Sequence, residues 1–371
     1  MARGGTVTRK LNNEVDFMYY VSLIAGVMDL LHAFGPSLLS PMVLAFGLGL
    51  FATLVRSELK IPEPLSAALT IYLLLAIGLK GGAKLDGVMP GDILRPLLLA
   101  LGLCAAIPGW SYAILRRLGR FDATNAGAIA AHYGSVSVVT FGACLAFLES
   151  RQVTAEPFMP ALLAVMEVPA ILVALYLVRR ADPVGAGGLE PARAALGFTA
   201  LPVAAPAGRP RVLHELLTSK GIMLLLGGLL IGWVSGKKGF EQVAPLFDVP
   251  FKGVLTLFLL EMGLVTGRRL RDLKTAGVFL CGFAIVMPLL HGLLGVALGR
   301  WAGLGVGGAT VLGTLAASAS YIAAPAAVRI ALPAANPAYY LTAALVITFP
   351  FNVVIGIPVY FGFARWLAGA G

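Results

Sequence analysis

The sequence predicts an all-α polytopic membrane protein with about ten transmembrane helices, arranged as a 5+5 inverted repeat. Of the 371 residues, 58% are hydrophobic and only 12% are charged, whereas soluble domains are about half apolar and a quarter charged. Apolar segments of membrane-spanning length recur along the chain, and similar motifs recur in its two halves. The composition excludes an ordinary soluble enzyme, a disordered chain and a disulfide-rich scaffold.

Ten apolar segments are long enough to cross a bilayer, which takes about 20 helical residues. Prolines and basic clusters separate them. The three cysteines, Cys104, Cys144 and Cys281, lie singly inside apolar runs, so we interpret them as packing residues. The predicted spans are 38–57, 64–83, 93–115, 123–147, 157–178, 219–236, 251–267, 275–299, 306–330 and 339–367.

Four regions follow from this pattern: a tail with an interfacial helix at 1–37, a five-helix repeat at 38–180, a linker at 181–218, and a second five-helix repeat at 219–371. Loops on the linker side carry more of the Lys and Arg residues, which places the linker in the cytoplasm and the chain in the cell inner membrane as a multi-pass protein. The net charge of +10 therefore orients spans in the lipid bilayer and does not indicate nucleic-acid binding. The start of the chain is open between Met1 and Met28.

The two halves resemble each other in sequence. The segment 78–85 of the second span matches 263–270 of the seventh, and Pro169 of the fifth span matches Pro350 of the tenth. Five crossings reverse the side on which the next repeat starts, so the second repeat is predicted to be inverted. Many secondary transporters are built on this plan.

Small, hydroxyl-rich stretches that favour helix breaks lie in the fourth and ninth spans, at 132–141 and 316–325. A helix broken near the membrane midplane exposes amides that bind anions, and oxygen atoms that bind cations. The alternative is that small residues only let helices pack closely. The substrate-binding candidates are Gly134, Ser135, Val136, Ser137, Ser318, Ala319 and Ser320, and the candidate sodium ligands are Ser135, Ser137, Ser318 and Ser320.

Two carboxylates, Glu167 and Glu261, lie inside apolar spans, where a charge costs at least about 2.5 kcal/mol. Such residues are functional candidates, with a structural ion pair as the alternative. His132 is a candidate proton relay, or a hydrogen-bonded core histidine. The ion-coupling candidates are His132, Thr140, Glu167, Glu261 and Tyr321.

Two motifs carry a family resemblance: Gly134-Ser135-Val136-Ser137 in the fourth span, and the run from Ala316 through Pro325 to Pro337 in the ninth. They resemble the sodium-dependent bicarbonate transporters first known from cyanobacteria, over about residues 28–371. The resemblance implies a homotrimer, symport of sodium with bicarbonate, and a substrate site between these two stretches. It also implies that a small PII-like regulatory protein docks on the cytoplasmic face. Tyr321 stands where the family pattern has Asp, which leaves the coupling ion and the anion open.

The sequence thus predicts a secondary transporter that imports bicarbonate with sodium by alternating access, without a cofactor beyond the coupling ion. The alternative is a proton-coupled permease for another small anion on the same fold. An intramembrane enzyme is disfavoured, because the sequence has no nucleophile–base pairing, metal-ligand spacing or phosphate loop. A receptor that binds without transporting would show saturable binding without flux.

Overall fold

The computed structural model describes residues 39–85, 88–181, 218 and 220–369. Helices account for 82% of these residues, and no strand occurs among them. The predicted interfacial helix at 1–37, nearly all of the linker at 181–218, and the choice between Met1 and Met28 lie outside the described residues.

The helices follow the predicted apolar segments, and several are divided by a break. We number them by predicted span and mark the two parts of a broken span a and b. They are α1 (Pro41–Leu54), α2 (Glu63–Gly82), α3 (Pro90–Arg117), α4a (Ala123–Gly134), α4b (Val138–Ser150), α5a (Met159–Met166), α5b (Pro169–Ala181), α6 (Lys220–Phe247), α7 (Phe251–Arg269), α8 (Leu273–Trp301), α9a (Val306–Ala317), α9b (Ala323–Ala331) and α10 (Pro337–Leu367).

Seven helices within the described residues are long and apolar enough to cross a membrane. That count takes α7 and α8 together across a 3₁₀ turn at Leu270–Asp272, although the backbone at Gly277 is non-helical, with a φ of 74°. α1 and α9a are shorter apolar helices. The structure therefore supports a polytopic helical membrane protein. The count of ten spans remains a prediction.

Local sequence explains where several helices begin and bend. The Ser40 hydroxyl accepts the Val43 N–H at 3.3 Å before α1, and the Asp122 carboxylate accepts the Asn125 N–H at 2.9 Å before α4a. Both are N-caps, which satisfy amides that the first turn leaves free. Gly236, with a φ of 61°, bends α6 where the predicted span ended. The helical residues that follow this bend, to Phe247, lie outside the predicted span.

Glycines bring four helices into backbone contact. A Cβ atom placed on Gly78 of α2 would lie 2.5 Å from the Leu225 carbonyl oxygen and 3.0 Å from the Gly228 Cα atom of α6. A Cβ atom on Gly49 of α1 would lie 3.1 Å from the Gly263 Cα atom of α7. Small residues at these positions allow the close packing that holds helices together in lipid.

These contacts show the relative direction of the helices. Gly78 meets Gly228, and further along both helices Gly232 meets the Ala83 amide, so α2 and α6 run parallel. Gly49 meets Gly263, and four residues later in both helices Thr53 meets Gly267, so α1 and α7 also run parallel.

The helices form two groups with extensive internal packing. α1 packs mainly on α7 and α2 on α6, and these four make the four-helix group. In the second, six-helix group, α8 packs on α9a, and α4a packs between α3 and α5b. α10 joins the six-helix group through α8 and α9a. The breaks in α4, α5 and α9 all lie in the six-helix group.

Gly49→Ala should lower the free energy of unfolding by about 1–3 kcal/mol, because the new methyl group would overlap the Leu260 carbonyl oxygen and approach Gly263. Thermal unfolding followed by size-exclusion chromatography in detergent measures the effect. Gly47→Ala is the matched control in the same helix, since nothing lies within 4 Å of its new methyl group. Equal melting temperatures for the two variants would contradict the packing described here.

Candidate functional site

The fourth and ninth predicted spans are both broken after a helix of 12 residues. α4a ends at Gly134, and Ser135 and Ser137 are extended, with ψ angles of 155° and 115°. α9a ends at Ala317, and Ser318 is extended with a ψ angle of 155°. The chain therefore leaves the helix at corresponding hydroxyl-rich positions, as the sequence predicts.

The two breaks contact each other through hydrogen bonds. The Ser137 amide donates to the Ser318 hydroxyl at 3.0 Å, and the Ser320 amide donates to the His132 carbonyl at 2.9 Å. These bonds join residues at least 181 positions apart along the chain, and in each of them the donor is a backbone amide. These bonds fix one break against the other.

Ser137 and Ser320 also serve the second half-helices. The Ser137 hydroxyl oxygen accepts the Thr140 amide at 3.2 Å and the Thr140 hydroxyl at 3.0 Å. The Ser320 hydroxyl oxygen accepts the Ala324 amide at 3.2 Å. The N-termini of α4b and α9b, which carry the positive end of the helix dipole, therefore begin beside these two hydroxyls.

A cavity of about 30 Å³ lies where the breaks face the four-helix group. It brings together five residues that the sequence singled out: Val136, Ser137, Glu167, Ser320 and Tyr321. This volume suits one or two water molecules. The remaining lining residues are Thr70, Leu73, Leu74, Val138, Val139, Gly221, Phe258, Ile322 and Ala323.

Glu167 reaches this cavity from a third break. Pro169 cannot donate a backbone hydrogen bond, and α5 is interrupted at Glu167 and Val168. The freed Glu167 carbonyl accepts the Ser135 hydroxyl at 2.8 Å, and the Met166 carbonyl accepts the Cys104 thiol at 3.4 Å. The buried carboxylate stands beside the first turn of α6, where the helix dipole favours negative charge.

Gly221 is what lets α6 approach this carboxylate. A Cβ atom at that position would lie 2.9 Å from Glu167 Oε1. Thr70 adds a hydroxyl from α2, although this group donates to the Ser66 carbonyl of its own helix at 3.0 Å. Neither residue was predicted from the sequence. Thr70 could have been, because it places a hydroxyl group inside an apolar span.

Other predicted residues support the site without lining the cavity. The hydroxyls of Ser135 and Ser318 donate to the Glu167 and Leu315 carbonyls, both at 2.8 Å. Thr140 is held by Ser137 as described above, and Ala319 is buried within the ninth-span break. Gly134 is buried where a Cβ atom would lie 2.5 Å from the Ala170 methyl carbon.

His132 and Glu261 lie outside the cavity lining. His132 Nδ1 donates to the Ala128 carbonyl at 2.6 Å, and its ring stacks on Tyr340 with the centroids 4.6 Å apart. Glu261 is buried on α7, one turn beyond Phe258 and within electrostatic range of Tyr321. Its Oε2 atom has no hydrogen-bond partner among the described residues.

Two polar residues of α10 that the sequence analysis did not single out complete the backbone hydrogen bonding. Asn352 Nδ2 donates to the Ala317 carbonyl at 2.9 Å, the carbonyl that the ninth-span break leaves free. Thr348 donates to the Ala284 carbonyl at 2.7 Å, four residues before Pro288, which lacks an amide to pair with it. Thr348 and Asn352 lie one turn apart, on either side of Pro350, and this pattern in the sequence could have indicated them.

The fold and the site define a polytopic membrane protein in which paired helix breaks bring amides, hydroxyls and a carboxylate together inside the bilayer. The family comparison agrees with this architecture. Residues 41–365 match the family model of the Na⁺-dependent bicarbonate transporter superfamily, and the chain belongs to this superfamily. No curated protein gives a significant match to the sequence.

Asn352→Ala should destabilise the protein by about 1–3 kcal/mol, because it leaves the buried Ala317 carbonyl without a partner. Thermal unfolding in detergent measures this loss. Thr256→Ala is the control, since the Thr256 hydroxyl is exposed and bonds only its own helix. An unchanged melting temperature for Asn352→Ala would show that the ninth-span break does not depend on this side chain.

Proposed function

We propose that this chain imports bicarbonate together with sodium, by alternating access around a site between the breaks of α4 and α9. One observation carries the proposal: Ser137 and Ser320 stand at the N-termini of α4b and α9b and line the same cavity as Glu167. Two helix N-termini offer amides to an anion, while hydroxyls, backbone carbonyls and a carboxylate offer oxygen ligands to a cation. The family membership supports the choice of bicarbonate and sodium.

The transport cycle would run on a 5+5 inverted repeat of ten spans. The parallel packing of α2 with α6 and of α1 with α7 supports this topology. When successive spans alternate in direction, spans whose numbers differ by an even number run in the same direction. The matching breaks after α4a and α9a support it as well. We further propose that the linker is cytoplasmic and that the protein lies in the cell inner membrane.

The small size of the cavity supports a binding site that widens when the two helix groups move relative to each other. About 30 Å³ accommodates one or two waters, whereas bicarbonate with a sodium ion needs more space. The lining comes from both groups: Thr70, Gly221 and Phe258 belong to the four-helix group, and Ser137 and Ser320 to the six-helix group. A relative movement of the groups would widen the cavity and open it to one side of the membrane.

Charge balance supports sodium as the partner. One bicarbonate with one sodium ion is a neutral cargo, so the membrane potential, worth about 2.3 kcal/mol per charge per 100 mV, does no work on it. A tenfold sodium gradient then supplies about 1.4 kcal/mol, enough for about tenfold accumulation. The family resemblance leads us to propose a homotrimer and a PII-like regulatory protein on its cytoplasmic face.

A proton-coupled permease for another small anion is the second candidate. Tyr321 lines the cavity where the family pattern has an acidic residue, and the buried Glu261 lies near it. A carboxylate in this position is a plausible proton carrier. Uptake that follows a pH gradient and ignores sodium would favour this candidate.

Uptake of labelled bicarbonate into proteoliposomes tests the proposal, with an inward sodium gradient and with choline in its place, at fixed pH and voltage. We expect accumulation above the equilibrium level only with sodium. Protein-free liposomes are the control for passive carbon dioxide exchange. Uptake that is absent, or equal in choline, would overturn sodium-coupled bicarbonate import.

Ser137→Ala and Ser320→Ala should each reduce sodium-driven uptake by about tenfold or more, because each removes a hydroxyl that faces the cavity and weakens the N-terminus of a half-helix. Initial uptake rates, normalised to folded protein, measure the effect. Ser111→Ala is the matched control, a buried serine outside the cavity lining. Normal rates for both cavity variants would place the substrate elsewhere.

Glu167→Gln should weaken the dependence on sodium more than it weakens folding, because the amide keeps the size of the side chain but removes its negative charge. We expect the half-saturating sodium concentration to rise by about tenfold, with the melting temperature little changed. Sodium titrations of uptake give the first value. Glu241→Gln, on the exposed end of α6, is the control, and an identical sodium response in all three proteins would contradict the assignment.

A further inference from the structure

A second, larger cavity opens between the two helix groups at one end of the membrane-spanning helices. This lateral groove has a volume of about 390 Å³. Its walls come from the first turn of α1, from α4b, from α7 and from α10. None of its lining residues lines the small cavity between the helix breaks.

The lateral groove is apolar along its length and basic at its mouth. Val43, Phe147, Leu259 and Val353 are among its apolar wall residues. The charged side chains in its lining, Arg151 just after α4b and Lys252 in the first turn of α7, are both cations and both exposed. The structure thus presents an apolar slot that ends in two positive charges.

The contacts that Arg151 and Lys252 make in the structure leave both side chains able to bind an anion. The Arg151 guanidinium lies 5.3 Å from the centroid of the Phe147 ring, which directs it along the groove wall. Lys252 Nζ lies 3.2 Å from Glu149 Oε1, and the two side chains are 49% and 56% exposed. An ion pair this exposed is weak because water screens it, so it does not hold Lys252 away from another anion.

We propose that the lateral groove binds one anionic phospholipid, with its phosphate between Arg151 and Lys252 and an acyl chain along the apolar wall. The bilayer surrounds a membrane-spanning chain with acyl chains, and one that enters the slot fills it and gains van der Waals contacts with its apolar wall. Cations at the ends of spans lie at the depth of the headgroups, where basic residues attract anionic lipids. The charge at the mouth therefore selects an anionic headgroup over a zwitterionic one. This site does not depend on the proposed transport function.

Native mass spectrometry of the full-length protein, titrated with phosphatidylglycerol or with phosphatidylcholine of the same acyl chains, tests the proposal. Phosphatidylglycerol should bind more tightly. Arg151→Gln and Lys252→Gln should each weaken its binding by about fivefold, the share of one surface cation. Arg180→Gln, an exposed cation at the end of α5b and outside the groove lining, is the control and should weaken binding less than either groove substitution.

Glu149→Gln gives a prediction of opposite sign. It removes the carboxylate that competes for Lys252, so phosphatidylglycerol should bind more tightly than to the unmodified protein. Equal affinities for the two lipids, or affinities that none of these substitutions alters, would overturn the proposal.

A photocrosslinker identifies the occupant directly. p-Benzoylphenylalanine in place of Met42, a half-buried residue of the groove wall, should give an adduct with the mass of a phospholipid in membranes. A crosslink to residues 1–37 of the same chain, or to a second copy of the chain, would assign the groove to that segment or to a subunit interface and overturn the proposal.

Discussion

The breaks in α4, α5 and α9 depend on one constraint: within a bilayer, a backbone group that leaves a helix must find its partner inside the protein. Here the partners come from the other half of the chain or from a neighbouring span. The Ser320 amide bonds the His132 carbonyl, Ser135 bonds the Glu167 carbonyl, and Asn352 bonds the Ala317 carbonyl. The breaks in α4 and α9 thus satisfy part of each other's backbone hydrogen bonding.

The same constraint explains why a polar cavity exists in an otherwise apolar core. Ser137 and Ser320 are in place as helix caps, and this structural role also positions their hydroxyls at the cavity. The same placement of these two hydroxyls therefore serves both helix capping and the proposed binding. The first turn of α6 lies close to the Glu167 carboxylate because Gly221 has no side chain. The positive end of the helix dipole there stabilises a negative charge on Glu167. The glycine contacts within the four-helix group pack α2 closely on α6 and α1 closely on α7.

Much of this arrangement could be predicted from local sequence. Clustered small and hydroxyl residues predicted the breaks near Ser135 and Ser318, and the position of Pro169 accounts for the break at Glu167. Thr70, Gly221 and Asn352 were missed because their roles depend on partners far along the chain, which a local pattern does not specify. His132 was a candidate for ion coupling, and its side chain bonds its own helix and stacks on Tyr340. The predicted end of the sixth span coincides with the bend at Gly236. Beyond this bend the chain is helical to Phe247, which an apolar count does not detect because the stretch is polar.

In the proposed transporter, one site holds the anion and the cation together. Equilibrium binding of radioactive sodium to purified protein, with and without saturating bicarbonate, tests this claim most directly, since coupled ligands must raise each other's affinity by the same factor. We expect bicarbonate to lower the sodium dissociation constant by at least about fivefold. Sodium binding that is absent, or that is the same with chloride in place of bicarbonate, would contradict it.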